Sequence, residues 1–75
     1  MKVQLTKLKE LPDAEYPHNI PEEYTTIGQF YKEPSIGECF VTGSFITSTV
    51  KEIISNDTFR THNSIYRWRV VNFEK

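Results

Sequence analysis

Three groups of residues in the second half of the chain carry the side chains best suited to chemistry. Thr47, Ser48 and Thr49 place three hydroxyls in succession, and Asn63 and Ser64 make a second polar corner. The only arginines, Arg60, Arg67 and Arg69, follow or flank that corner. Guanidinium groups bind anionic oxygens in a forked geometry, and hydroxyls and amides fix the orientation of such a ligand. The spacing contains neither of the familiar glycine-rich phosphate loops, G-x-G-x-x-G or G-x-x-x-x-G-K-[ST]. A phosphate site here would have to be assembled by folding. If hairpins bring the corners together, Thr47, Ser48, Thr49, Arg60, Asn63, Ser64, Arg67 and Arg69 line one ligand-binding surface. The same residue types also satisfy backbone groups at turns and strand ends, so a purely structural role is the competing reading.

Catalytic and metal chemistry find less support. Cys39 and His62 could make a nucleophile and base only with an orienting third group, and nothing beside either supplies one. Cys39 adjoins Phe40 and Val41, a setting in which cysteine behaves as a small buried hydrophobe. His18 and His62 are far apart in the chain, and the acids Asp13, Glu15, Glu22 and Glu23 lack the alternating pattern and central glycine of a calcium loop. No enzyme activity, cofactor or metal is expected.

Charge bears on the partner. Residues 1–38 carry four lysines against seven acids, or −3, and residues 39–75 carry five basic residues against three acids, or +2. The arginine stripe, with Lys51 nearby and Tyr31 or Phe45 to stack on bases, would suit nucleic acid. The net charge of −1 disfavours that partner, because backbone binders are normally clearly basic. No apolar run approaches the roughly 20 residues that span a bilayer, and MKVQLTKLKE has no apolar core of a secretory signal. A cytoplasmic, water-soluble domain is expected, with no membrane partner.

The elements that must position these residues are strands. Val, Ile and Thr number 20 of 75 residues, whereas Leu and Ala number four. β-branched side chains suit a pleated surface and lose rotamer freedom in helices. Alternation predicts a strand or extended arm over 1–9, with Val3, Leu5 and Lys7 on one face. Residues 10–24 hold three of the four prolines and form a long loop. Strands follow at 24–32, bent at Gly28, and at 39–43, 45–54, 58–62 and 65–73. Gly37 and Ser55-Asn56-Asp57 supply turns, and the apolar phase slips near Lys51-Glu52, which predicts a bulge. In the last strand Tyr66, Trp68 and Val70 share the core face and Arg67 and Arg69 the other. Trp68 is expected to be largely buried against Tyr66 and Phe59 or Phe40.

These readings combine into one mostly β domain, 1–75. Residues 1–23 are a strand or arm plus the long Pro-rich N-terminal loop, and 24–73 a small SH3-like or OB-like barrel of five to six short strands. A chain this short gains little from one core, and an exposed aromatic such as Tyr31 or Phe45 favours a homo-oligomer.

The stretch from Pro34 to Val71 resembles small proteins of bacteriophages and Bacteroidota mobile elements. The shared pattern is a Pro-x-Ile-Gly turn at Pro34 to Gly37, Thr-Ser-x-Val at Thr47 to Val50, and Phe-x-Thr-x-Asn-Ser-x-Tyr at Phe59 to Tyr66. The resemblance spans about half the chain and carries no mechanism. By analogy of size and origin it implies a non-enzymatic phage-type protein in the cytoplasm of a bacterial host. Such a protein would act by stoichiometric capture of a small phosphorylated or nucleotide ligand, or of a host protein in a defence pathway. A nucleic-acid-binding barrel and a minor structural or assembly protein of a phage are the alternatives.

Overall fold

The computed structural model describes residues 1–11, 21–43 and 45–71. Most of the Pro-rich loop, 12–20, lies outside the described residues. The rest is six antiparallel strands without a helix among the described residues: β1 (Lys2–Glu10), β2 (Thr25–Gln29), β3 (Cys39–Val41), β4 (Ile46–Ser55), β5 (Thr58–Thr61) and β6 (Ser64–Val71). The elements fall where the β-branched runs predict them.

The sheet order is β2-β1-β6-β5-β4-β3. β4 and β5 lie between their neighbours in sequence, the first and last strands, β1 and β6, pair, and the consecutive strands β2 and β3 form the two ends of the sheet. This sequential order has no Greek-key crossing, which an OB-like barrel would need. The sheet curls into a half-closed barrel whose open seam falls between β2 and β3. Two glycines make the seam narrow. A Cβ on Gly28 would sit 2.9 Å from the Thr42 hydroxyl and 3.2 Å from the Gly43 amide nitrogen, and a Cβ on Gly43 would meet the Gln29 backbone at 3.2 Å. Gly28 is therefore neither bulge nor bend: its ladder with Val3 is regular, and its missing side chain admits the opposite edge. Gly28→Ala should cost about 1–3 kcal/mol through overpacking. Urea unfolding with an unchanged slope and a lower midpoint is the expected reading. A variant as stable as the parent would mean that the seam yields freely.

The phase slip expected near Lys51-Glu52 is present as a register shift between Val50 and Glu52 in the β4–β5 ladder. It lets Val50 point into the core while Ile53 pairs with Phe59 and stays partly exposed. Gly37 has a φ of 92°, a conformation that side chains other than glycine's disfavour.

The core is Val3, Leu5, Phe40, Val50, Phe59 and Tyr66. Its rings run in contact from Phe30 through Trp68, Phe40, Phe59 and Tyr66 to Phe45, with centroid separations of 5.2 to 6.2 Å. Trp68 shares the inner face with Tyr66 and touches Phe40, as expected, but is only partly buried. It stacks on Phe30 near the seam, while Phe59 and Tyr66 occupy the centre. Phe45 is not an exposed aromatic: it packs edge-on to Tyr66. Cys39 is exposed rather than buried, because Phe40 takes the inward position of β3 and alternation turns its neighbours out.

Candidate functional site

The fold sorts the candidate residues by strand parity onto two faces. Ser64 and Tyr66 project inward from β6, and Arg67 and Arg69 project outward. The hydroxyls and the arginines thus do not line one surface.

The inner group builds a polar corner. The Thr47 hydroxyl accepts the Phe40 amide at 3.0 Å and donates to the Ser48 carbonyl at 2.7 Å. The Thr61 hydroxyl accepts the amides of Asn63 and Ser64 at 3.2 and 3.1 Å and donates to the Ser64 carbonyl at 3.2 Å. The Asn63 carbonyl accepts the Leu11 amide at 2.8 Å. Thr61 therefore closes the β5–β6 turn, a role visible in hindsight as a Thr two residues before Asn. Val50 pairs with Thr61, and the His62 amide reaches the Thr49 carbonyl at 3.2 Å, which sets Ser48 beside Asn63. Thr47, Asn63 and Ser64 are buried, so the structural role is the one their hydrogen bonds support.

Some of this corner's chemistry is left over. The hydroxyls of Ser48, Ser64 and Tyr66 are buried without a hydrogen-bond partner. Lys7, opposite Tyr66 in the β1–β6 ladder, is 1% exposed and donates to the Glu10 carboxylate at 2.8 Å. Burial lifts the Tyr66 hydroxyl above the ordinary tyrosine range, the nearby Ser64 hydroxyl opposes this, and the Glu10 charge adds to it. An acid whose folded pKa is raised favours folding fully below its unfolded pKa, and the benefit is lost as pH rises through the folded value. Stability should accordingly fall above about pH 10. In Tyr66→Phe, with the ring kept, this alkaline slope should flatten, as read by urea midpoints across that range.

The outer group faces solvent. Arg60 Nε donates to Glu52 Oε1 at 3.0 Å across the β4–β5 ladder. Arg67 stands opposite Thr6 on β1 and Thr58 on β5, and Arg69 opposite Gln4. Gln4, Thr6, Asp57, Arg67, Trp68 and Arg69 line an open concavity of about 310 Å³. Asp57 accepts hydroxyl hydrogen bonds from Ser55 and Thr58, both at 2.9 Å. Those bonds, aided by the Arg67 charge, hold its carboxyl below the usual range against a small opposing desolvation. Gln4 and Thr6 could not be named from sequence, because only the pairing of first and last strands brings them to the arginines.

Thr49 lies between the other two residues of note. It pairs with Cys39 on one side, and its carbonyl accepts the His62 amide on the other. Two ladder spacings, about 9–10 Å, separate those backbones, with Thr49 between them. Among the described residues no three His, Cys, Asp or Glu side chains gather as a metal site, and no helix is long and apolar enough to cross a membrane.

The sequence matches no protein-family model, and comparison with curated proteins and with solved structures likewise gave no match.

Proposed function

We propose that this protein is a non-enzymatic binding module that captures a small phosphorylated ligand on the outer face of β6. The observation that carries this reading is the pairing of Arg67 and Arg69 with Thr6 and Gln4 around one open concavity. Two forked cations and the Gln4 amide on rigid strands suit phosphate oxygens, whereas the buried Thr6 hydroxyl is bonded to that of Thr25 at 2.9 Å and walls the concavity. Asp57 shapes the seat. Its carboxylate lies near the Arg67 charge and repels an anion on that side, so the ligand sits toward Arg69 and Gln4. Of the other members of the expected site, Arg60 neutralises Glu52, the Thr47 hydroxyl serves the backbone, and the main-chain amides of Asn63 and Ser64 donate to the Thr61 hydroxyl.

A thermal-shift panel of inorganic phosphate, nucleoside phosphates and cyclic dinucleotides tests this. A ligand at 100 times its dissociation constant should add about 2.7 kcal/mol of stability. No shift with any phosphorylated compound would overturn the reading. Single-stranded nucleic acid is the second reading, favoured by the same outward arginines and opposed by the net charge of −1. It predicts a mobility shift that weakens steeply with salt and no response to mononucleotides.

A further inference from the structure

We propose, on the reading of the outer concavity as a phosphate seat, that Asp57 makes this seat selective for phosphate monoesters that carry a hydroxyl group beside the phosphate, as sugar phosphates and ribonucleotides do. The phosphate meets Arg69 and Gln4, and the hydroxyl donates to the Asp57 carboxylate. Hydrogen bonding fixes where Asp57 stands. Its carbonyl accepts the Trp68 amide at 2.9 Å, so its backbone lies alongside the residue between Arg67 and Arg69. Gln4 pairs with Arg69 from the other side of β6. The arginine row thus has an amide side chain on one flank and a carboxylate on the other, each about one ladder spacing, or 5 Å, away at the backbone.

The two oxygens of that carboxylate are used unequally. Ser55 and Thr58 both donate to Oδ1, each at 2.9 Å, whereas Oδ2 accepts no hydrogen bond from the described residues. The two hydroxyls tether the side chain within an exposed turn and, with the Arg67 charge, keep it ionised at neutral pH. An ionised carboxylate only accepts hydrogen bonds, so Oδ2 repels phosphate oxygens and attracts a hydroxyl. On the cationic side, neither the Arg67 nor the Arg69 guanidinium makes an ion pair or hydrogen bond among the described residues. A bare phosphate would satisfy those donors and leave the carboxylate facing an anion. A phosphate with a neighbouring hydroxyl satisfies donors and acceptor together.

Calorimetry on the intact chain tests this with methyl phosphate, ribose 5-phosphate and AMP, at about pH 8, where a phosphate monoester keeps no proton of its own to donate. Ribose 5-phosphate and AMP should bind about tenfold tighter than methyl phosphate, the worth of one hydrogen bond to a charged group. Equal gains for the two mark a sugar phosphate as the ligand and a larger gain for AMP marks a nucleotide; either supports the proposal. Asp57→Asn keeps one oxygen for Ser55 and Thr58 and turns the other acceptor into a donor, and Asn suits a turn. In that variant methyl phosphate should bind several-fold tighter, because the like charge is gone, and the preference for ribose 5-phosphate should vanish. If the variant does not fold, the comparison of ligands on the parent decides. Methyl phosphate bound by the parent as tightly as ribose 5-phosphate, or a preference that survives in Asp57→Asn, would overturn the selectivity and leave the phosphate seat standing. Failure of all three compounds to bind would overturn both.

Discussion

Phe59→Ala should leave the chain unfolded at room temperature. Phe59 is 0% exposed and touches the rings of both Phe40 and Tyr66, at 5.2 and 5.6 Å between centroids. Truncating such a ring loses its transfer free energy and opens a cavity, about 3–5 kcal/mol together. A core in a chain this short rarely supplies more than about 3–5 kcal/mol in all. The expected readout is loss of the β-sheet circular dichroism signal and collapse of amide dispersion in NMR spectra. Phe59→Leu keeps most of the volume and should fold with a lowered midpoint. Trp68→Ala should be the milder truncation, because Trp68 is only partly buried and flanks the seam with Phe30. A folded Phe59→Ala variant beside an unfolded Trp68→Ala variant would place the centre of the core at the seam instead.

Replacing both Arg67 and Arg69 by alanine should abolish measurable phosphate-ligand binding while leaving the fold intact. Each hydrogen-bonded contact to a charged group is worth about 1.5–3 kcal/mol, or roughly tenfold to a hundredfold in affinity. Both side chains are exposed and outward, where substitution seldom moves stability by more than about 0.5 kcal/mol. Arg69→Lys keeps the charge but loses the planar fork and should recover only part of the affinity. Arg60→Ala is the matched control, since Arg60 is bonded to Glu52 and lies outside the concavity. Calorimetry on these four proteins separates the cases. Unchanged affinity in the double variant, or an equal loss in Arg60→Ala, would move the site elsewhere or reduce it to general charge.

The polar runs of the second half of the chain show how residue type misleads about role. Thr-Ser-x-Val and Thr-x-Asn-Ser have the composition of an anion site, yet Thr47 and Thr61 spend their hydroxyls on nearby amides and carbonyls. A short hydroxyl side chain reaches its own turn at little entropic cost, so local backbone groups compete well against any ligand. Ser64 and Arg67, three residues apart, then face opposite sides of one sheet. That outcome was already implicit in the alternation that assigned Tyr66 and Trp68 inward and the arginines outward.

Local physics was legible in the sequence. The scarcity of Leu and Ala against abundant Val, Ile and Thr set the class as β, and period-two alternation set which side of β1 and β6 faces inward. Gly37 and the slip near Lys51-Glu52 marked a turn and a bulge because each reflects a restriction on a single residue or its immediate neighbours. Tertiary structure alone decided what meets across the sheet. The pairing of β1 with β6 joins residues some 60 positions apart, and it alone puts Gln4 and Thr6 beside Arg69 and Arg67. The curl of the sheet made Gly28 a seam contact, moved Trp68 from the centre of the core to its margin, and left the side chains of Cys39 and Val41 exposed. These are consequences of long-range register and closure, and no short window of sequence records which distant strand will lie alongside.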